Sequence, residues 1–240
     1  MRNEGCGTAK TPPDAVKRAL EANRAAYEAI RAGLRVGMTE KDAYALVGAA
    51  VDRVCGDEPH AFIGDFVGGA RAGSVEGPPT DYAFKAGDLF ILDLSVRRGA
   101  AWSDTCRTFF FGEPPPRPRA AYAAALAAMD AGARAIRAGV VASSVRPPMV
   151  AELDARGFGG LMPHHGGHLV GPAPYLKPAF EDGCDGVVEA GDVCTLEPGV
   201  YVEGEWGLRV ENDYLVGADG VTNLFDYPRE LEYFVIGGTR

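Results

Sequence analysis

The chain has 240 residues, 47% hydrophobic and 24% charged, enough for a cored domain that needs no disulfide staples. A formal net charge of −9, a sequence pI near 5.0 and no basic stripe argue against a nucleic-acid partner. The start, "MRNEGCGTAKTPPD", lacks an apolar targeting core, and the longest Ala-rich run is broken by Asp130, so neither secretion nor membrane insertion is expected.

Five cysteines, Cys6, Cys55, Cys106, Cys184 and Cys194, show no CxxC spacing. Buried thiols in a reducing, cytoplasmic setting are expected, and a structural zinc is not.

In chain order, "TPPDAVKRALEANRAAYEAIRAG" reads as a helix capped by Thr11, and "MTEKDAYALVGAAVDRVCG" as a second helix with a capping box between Thr39 and Asp42. Two β-rich runs follow, "DLFILDLSV" and "AWSDTCRTFFF", joined at "RRGA". With Arg98 and Gly99 as the loop, Asp93 falls directly opposite Asp104. Two acids facing each other on so apolar a strand call for something positive between them, and a divalent cation is the natural candidate.

"EPPPRPR" at 113–119 reads as a connector that neither helix nor central strand would tolerate. The Ala-rich run 119–138 and "SSVRPPMVAELDARG" are then expected to be helical. "AIRAG" occurs at 29–33 and again at 135–139, an offset of 106 residues. Next comes "LMPHHGGHLVGPAPY", with three of the four histidines.

A final pair of runs, "DVCTLEPGVYV" and "WGLRVENDYLV", flanks "EGE". A three-residue loop at 203–205 sets Glu197 opposite Glu211. The acid pairs are offset by 104 and 107 residues, close to the offset of the repeated pentapeptide. A single domain over 1–240 is therefore expected, with pseudo-repeat halves at roughly 11–112 and 119–236 that each offer a hairpin of carboxylates to one centre.

Together "ILDLSVRRGAAWSDTCRTF", "LMPHHGGHLVG", "TLEPGVYV" and "LRVENDYLV" resemble the metal segments of the pita-bread metallopeptidases, which include methionine aminopeptidase, prolidase and Xaa-Pro aminopeptidase, with creatinase as a relative. The likeness covers nearly the whole chain. It implies an α+β pita-bread fold whose two pseudo-symmetric halves, each of helices plus antiparallel strands, surround a di-metal site.

Five ligands carry over by resemblance: Asp93, Asp104, His168, Glu197 and Glu211, with Asp104 and Glu211 bridging two divalent ions (Mn, Co, Zn or Fe). The same resemblance implies a metal-bridging water as nucleophile, with Glu197 taking its proton and His164 stabilising the oxyanion. The short interval from Glu197 to Glu211 is more similar to the prolidase and Xaa-Pro branch than to methionine aminopeptidase. The extra N-terminal domain usual in that branch has no counterpart, so a stand-alone catalytic domain is expected, and a homodimer by family habit.

Two family histidines are replaced, one by Glu76 in "SVEGPPTD" and one by Tyr175. These two become candidate substrate contacts, Glu76 toward a cationic group and Tyr175 through its hydroxyl. His165 and His60 are expected to be loop residues facing solvent, Cys106 to be core packing beside Asp104, and Arg209 to orient the carboxylates or balance their charge.

The expected activity is removal of an N-terminal residue from small peptides. Two alternatives are a C–N hydrolase or lyase acting on a non-peptide small molecule, and a non-catalytic protein-binding module.

Overall fold

The computed structural model describes residues 10–237. Cys6 lies outside them. The chain opens with α1 (Pro13–Gly33) and α2 (Glu40–Cys55) and continues into the strands β1 (His60–Gly68), β2 (Leu89–Arg98) and β3 (Ala101–Phe111). Then follow α3 (Pro116–Ala135), α4 (Arg146–Ala155) and the short strands β4 (His168–Val170), β5 (Leu176–Ala179), β6 (Val193–Leu196), β7 (Gly199–Val202), β8 (Trp206–Arg209), β9 (Asn212–Val216), β10 (Val221–Asn223) and β11 (Val235–Ile236).

α2 starts as its sequence predicts: the Thr39 hydroxyl accepts from the Asp42 amide, and the Asp42 carboxylate accepts from the Thr39 amide. α1 does not. Pro12 is the flanking residue and Pro13 the first helical one, so no capping hydrogen bond forms and Thr11 is not the cap. α3 likewise begins inside the proline-rich stretch expected to exclude it, with Pro116 and Pro118 in its first turn. There a missing N–H costs nothing, because that amide has no helical acceptor.

One sheet has the order β1-β2-β3-β11 and a second the order β10-β9-β6-β4-β5, with β7 and β8 forming a separate ribbon. The strand period of two sorts the first sheet's side chains cleanly. Phe66, Phe90, Leu92, Leu94, Val96 and Phe109 go to the helix-covered face, all fully buried. Asp65, Asp93, Ser95, Asp104 and Cys106 go to the other.

Buried Asn23 of α1 pins the helix to this sheet. Its amide donates to the Leu94 carbonyl (2.6 Å) and the Thr105 hydroxyl (2.8 Å), and its oxygen accepts from Ser103 (2.7 Å).

The first hairpin turns at Gly99 and Ala100, since Arg98 pairs with Ala101. Gly99 has φ +63°, and a glycine at the first loop position is what a type II′ turn requires. The expected register is therefore off by two residues: Asp93 faces Cys106, and Asp104 faces Ser95. A two-residue slip preserves the face, so both acids still point the same way.

The second hairpin keeps its expected register. Val202 pairs with Trp206 across the 203–205 loop, and Leu196 pairs with Asn212 beyond the acids. A bridge between Cys106 and Glu211 joins the two hairpins at the centre. Among the described residues no helix is long and apolar enough to cross a membrane.

Candidate metal centre

Where the two hairpins meet, a cavity of about 170 Å³ is lined by Asp65, Glu76, Asp93, Asp104, His164, His165, His168, Glu197, Arg209 and Glu211, together with Val75. Seven of the eight residues singled out for chemistry from the sequence thus share one cavity. Tyr175 stands beside it, its ring centroid 4.6 Å from that of His168 and 5.7 Å from that of His165.

Each ligand candidate is held by a neighbour. The Asp104 carboxylate accepts from the Ser95 hydroxyl (2.9 Å), and its amide donates to Asp213 (3.0 Å). The Thr195 hydroxyl accepts from the His168 amide (3.0 Å) and donates to Glu197 Oε1 (3.2 Å), fixing two candidates at once. Gly167 (φ +150°) lets the chain pass so close to Thr195 that a Cβ would strike that residue's carbonyl.

His168 Nδ1 donates to the Leu169 carbonyl (3.0 Å), which leaves Nε2 with a lone pair toward the cavity, the arrangement typical of a metal-binding imidazole. That Nε2 lies 3.6 Å from both Asp104 Oδ2 and Glu197 Oε1. This is too long for a hydrogen bond. Two donors each about 2.1 Å from one tetrahedral ion stand about 3.4 Å apart, so the spacing suits a shared cation. Asp104, His168 and Glu211 bring ligand atoms within 4.8 Å of one another, as do His164, His165 and Glu197.

Electrostatics point the same way. Burial, together with the neighbouring carboxylates, pushes Asp104 and Glu211 well above the usual carboxylate range. Asp93 rises to about 6, burial outweighing the nearby Arg209 guanidinium. For Glu197 burial also pushes upward, but the surrounding imidazoles, His165 first, hold it at about 2. Such a packed set of acids either keeps protons or takes up cations, and the residues fit divalent ions.

The facing acids that need a charge between them are Asp65 and Asp93, directly opposite across β1 and β2. Arg209 supplies it: Nη2 lies 3.1 Å from Asp65 and 2.9 Å from Asp93, while Nη1 donates to the Tyr201 hydroxyl (3.2 Å). Arg209 thus orients the carboxylates. Cys106 is fully buried in a small cluster with Val67, Ala72, Ile91 and Tyr201, as core packing predicts.

His164 completes this chain, with Nε2 3.0 Å from the Tyr201 hydroxyl and Nδ1 2.8 Å from the His165 carbonyl. A carbonyl only accepts, so Nδ1 carries the proton and Nε2 accepts from Tyr201. Burial lowers the His164 pKa to about 4, keeping the ring neutral.

His165 is not the solvent-facing loop residue expected; it lines the cavity 3.3 Å from Glu197 Oε1. His60 lies apart from the cavity but is no solvent-facing loop residue either: it opens β1, half-buried, with Nε2 2.9 Å from Asp52. Glu76 sits exposed at the rim, and its carboxylate has no partner among the described residues. Just before it Val75 has φ +76° and ψ −53°, with the Glu76 amide donating to the Ser74 carbonyl (3.0 Å). This is a classic γ-turn, rare and strained for a β-branched residue.

Asp65, Thr195, Tyr201 and Asp213 were missed from the sequence. Asp213 and Thr195 carried a signal, Asp213 lying two residues past Glu211 and Thr195 two residues before Glu197.

Helices on one face of a mainly antiparallel sheet, with a buried carboxylate and histidine cluster where two hairpins meet, define a pita-bread protein of the metallopeptidase kind. Residues 14–218 match Metallopeptidase family M24, and the chain belongs to that family. The protein YkvY of Bacillus subtilis (strain 168), whose name assigns it provisionally to the dipeptidases, is 30% identical over 200 residues, 83% of this chain and 55% of YkvY.

The X-Pro aminopeptidase from Thermotoga maritima MSB8 superposes with a TM-score of 0.87 at 27% identity, covering 93% of this chain and 62% of that one. Dipeptidase PepE from Mycobacterium ulcerans gives 0.87 at 26% identity, covering 94% and 60%. The chain thus spans between half and two thirds of the length of these relatives.

Proposed function

We propose that the protein is a di-metal peptidase of the Xaa-Pro type, releasing the N-terminal residue of short peptides. The observation that carries this is the cavity itself: five ligand candidates converge at spacings suited to shared cations, in a chain of Metallopeptidase family M24.

Asp93, Asp104, His168, Glu197 and Glu211 would hold two divalent ions, which when bound supply an acidified water and polarise the scissile carbonyl. Glu197, ionised and held by Thr195, accepts the proton of the attacking water. His164 offers its Nδ1–H, donated at rest to the His165 carbonyl, to the oxygen that becomes an oxyanion. Arg209 keeps Asp93 ionised and in place. Glu76, at the rim and without a partner, is placed to meet a cationic group of the substrate.

The test is incubation of protein loaded with Mn, Co or Zn with a mixed library of short peptides, some with proline second, followed by mass spectrometry. Metal-dependent loss of the residue before proline is expected. No cleavage by protein that holds its metals would overturn the peptidase reading and turn attention to a non-peptide C–N substrate.

A further inference from the structure

Three imidazoles border the centre, and accounting for their nitrogens separates them. Both nitrogens of His164 are engaged, with the Tyr201 hydroxyl and the His165 carbonyl. His168 has Nδ1 tied to the Leu169 carbonyl and Nε2 free toward the acids. His165 has a buried Nδ1 with no hydrogen-bond partner, 3.3 Å from Glu197 Oε1. A buried nitrogen left unsatisfied in this way needs an explanation, and an ion is one.

We infer that His165 is a further donor to the metal centre, its Nδ1 sharing an ion with the Glu197 carboxylate, so that this chain builds its centre with two imidazoles. This rests on ions occupying the centre as proposed above.

The 3.3 Å separation from Glu197 Oε1 belongs with the two 3.6 Å separations of His168 Nε2. The 3.3 Å separation falls within the edge between two ligands of one ion, about 3.0–3.4 Å for bonds of about 2.1 Å, and the two 3.6 Å separations lie just beyond it. Tyr175 packs tilted against both rings, 4.6 Å from His168 and 5.7 Å from His165, and so limits their rotation. A second imidazole among carboxylates moves the donor set away from the all-oxygen sites that suit Mn and toward Zn or Co.

The experiment loads the full chain with two equivalents of zinc and records zinc-edge X-ray absorption together with calorimetric zinc titration. Two imidazoles per two zinc ions are expected in the natural protein. In His165→Ala the imidazole scattering per zinc should fall by about half, and zinc affinity at the weaker site by about tenfold or more. Because the metal-free variant also loses the imidazole beside the Glu197 carboxylate, zinc binding rather than melting temperature is the readout.

Unchanged imidazole scattering, with zinc affinity within twofold, would overturn the inference and make His165 a packing residue. If the variant fails to fold, the natural protein decides alone: one imidazole per two zinc ions sinks this inference and leaves the proposed function standing. No zinc bound at all would sink this inference, and the proposed function would fall with it only if manganese and cobalt were refused as well.

Discussion

Arg209 is the only guanidinium or ammonium group among the side chains that line the cavity, against six carboxylates: Asp65, Glu76, Asp93, Asp104, Glu197 and Glu211. Two divalent ions and Arg209 would supply five positive charges, leaving one carboxylate over. Glu76 is the one without a partner, and it sits at the rim. Glu76→Gln should therefore raise KM for peptides with a free N-terminal ammonium by roughly twofold to fivefold, with metal content unchanged. A factor of that size corresponds to the ~0.4–1 kcal/mol of one exposed charge contact. Steady-state kinetics on a free and an N-acetylated peptide check this, and an equal effect on both would remove Glu76 from ammonium recognition. Resemblance to a family reaches this residue only as a position; the strained turn at Val75 that carries it to the cavity leaves no mark in the sequence, because nothing about a valine announces a positive φ.

At the scale of elements, what could be read from the sequence was what depends on period two and on local capping. The capping box of α2 and the faces of both acid-bearing hairpins belong to this group. What could not was decided by details of turns and helix ends. Gly99 takes the first loop position rather than the second, which moves Asp93 from Asp104 to Cys106. Pro116 and Pro118 open a helix they would break one turn later. The face-to-face acids inferred at 93 and 104 exist instead at 65 and 93, because strand order places β1 beside β2 and a lone "HAFIGDFVG" does not say which strand it will border. The sequence neighbours of His165 are loop residues and predict exposure, whereas the loop folds inward under Arg146, which donates to the carbonyls of Met162 and His164. Asn23 offers a test at this scale. Asn23→Ala leaves the Ser103 hydroxyl and the Leu94 carbonyl buried without this partner, so the metal-free protein should lose about 1–3 kcal/mol in urea unfolding. A loss under about 0.5 kcal/mol, within the scatter of surface substitutions, would show that α1 is held by apolar packing alone.

Across the whole molecule, the first helix is fastened to the last segment of the described chain. Glu28 of α1 accepts from the hydroxyls of Tyr227 (2.8 Å) and Tyr233 (2.6 Å) and pairs with Arg31 (2.7 Å). Burial pushes its pKa up, but the two hydroxyls and Arg31 outweigh this and hold it below its ordinary 4.5. A folded pKa below the unfolded one means a stabilisation that is complete above the unfolded value and is lost as pH falls through the folded one. Stability should therefore drop with acid below about pH 4.5 more steeply in the natural protein than in Glu28→Gln, as read from urea midpoints across the acid range. Parallel curves would remove Glu28 from the acid response. This clasp lies on the far side of the first sheet from the acids, so the fold and the centre can be perturbed separately.

The most direct test of the account is the number of ions the chain holds, measured by equilibrium dialysis against zinc, manganese or cobalt and elemental mass spectrometry. Two ions per chain are predicted, falling below one in Asp104→Asn and in Glu211→Gln, whose side chains would serve both ions. A natural protein that takes up none of the three metals, or that keeps two ions in both variants, would contradict it.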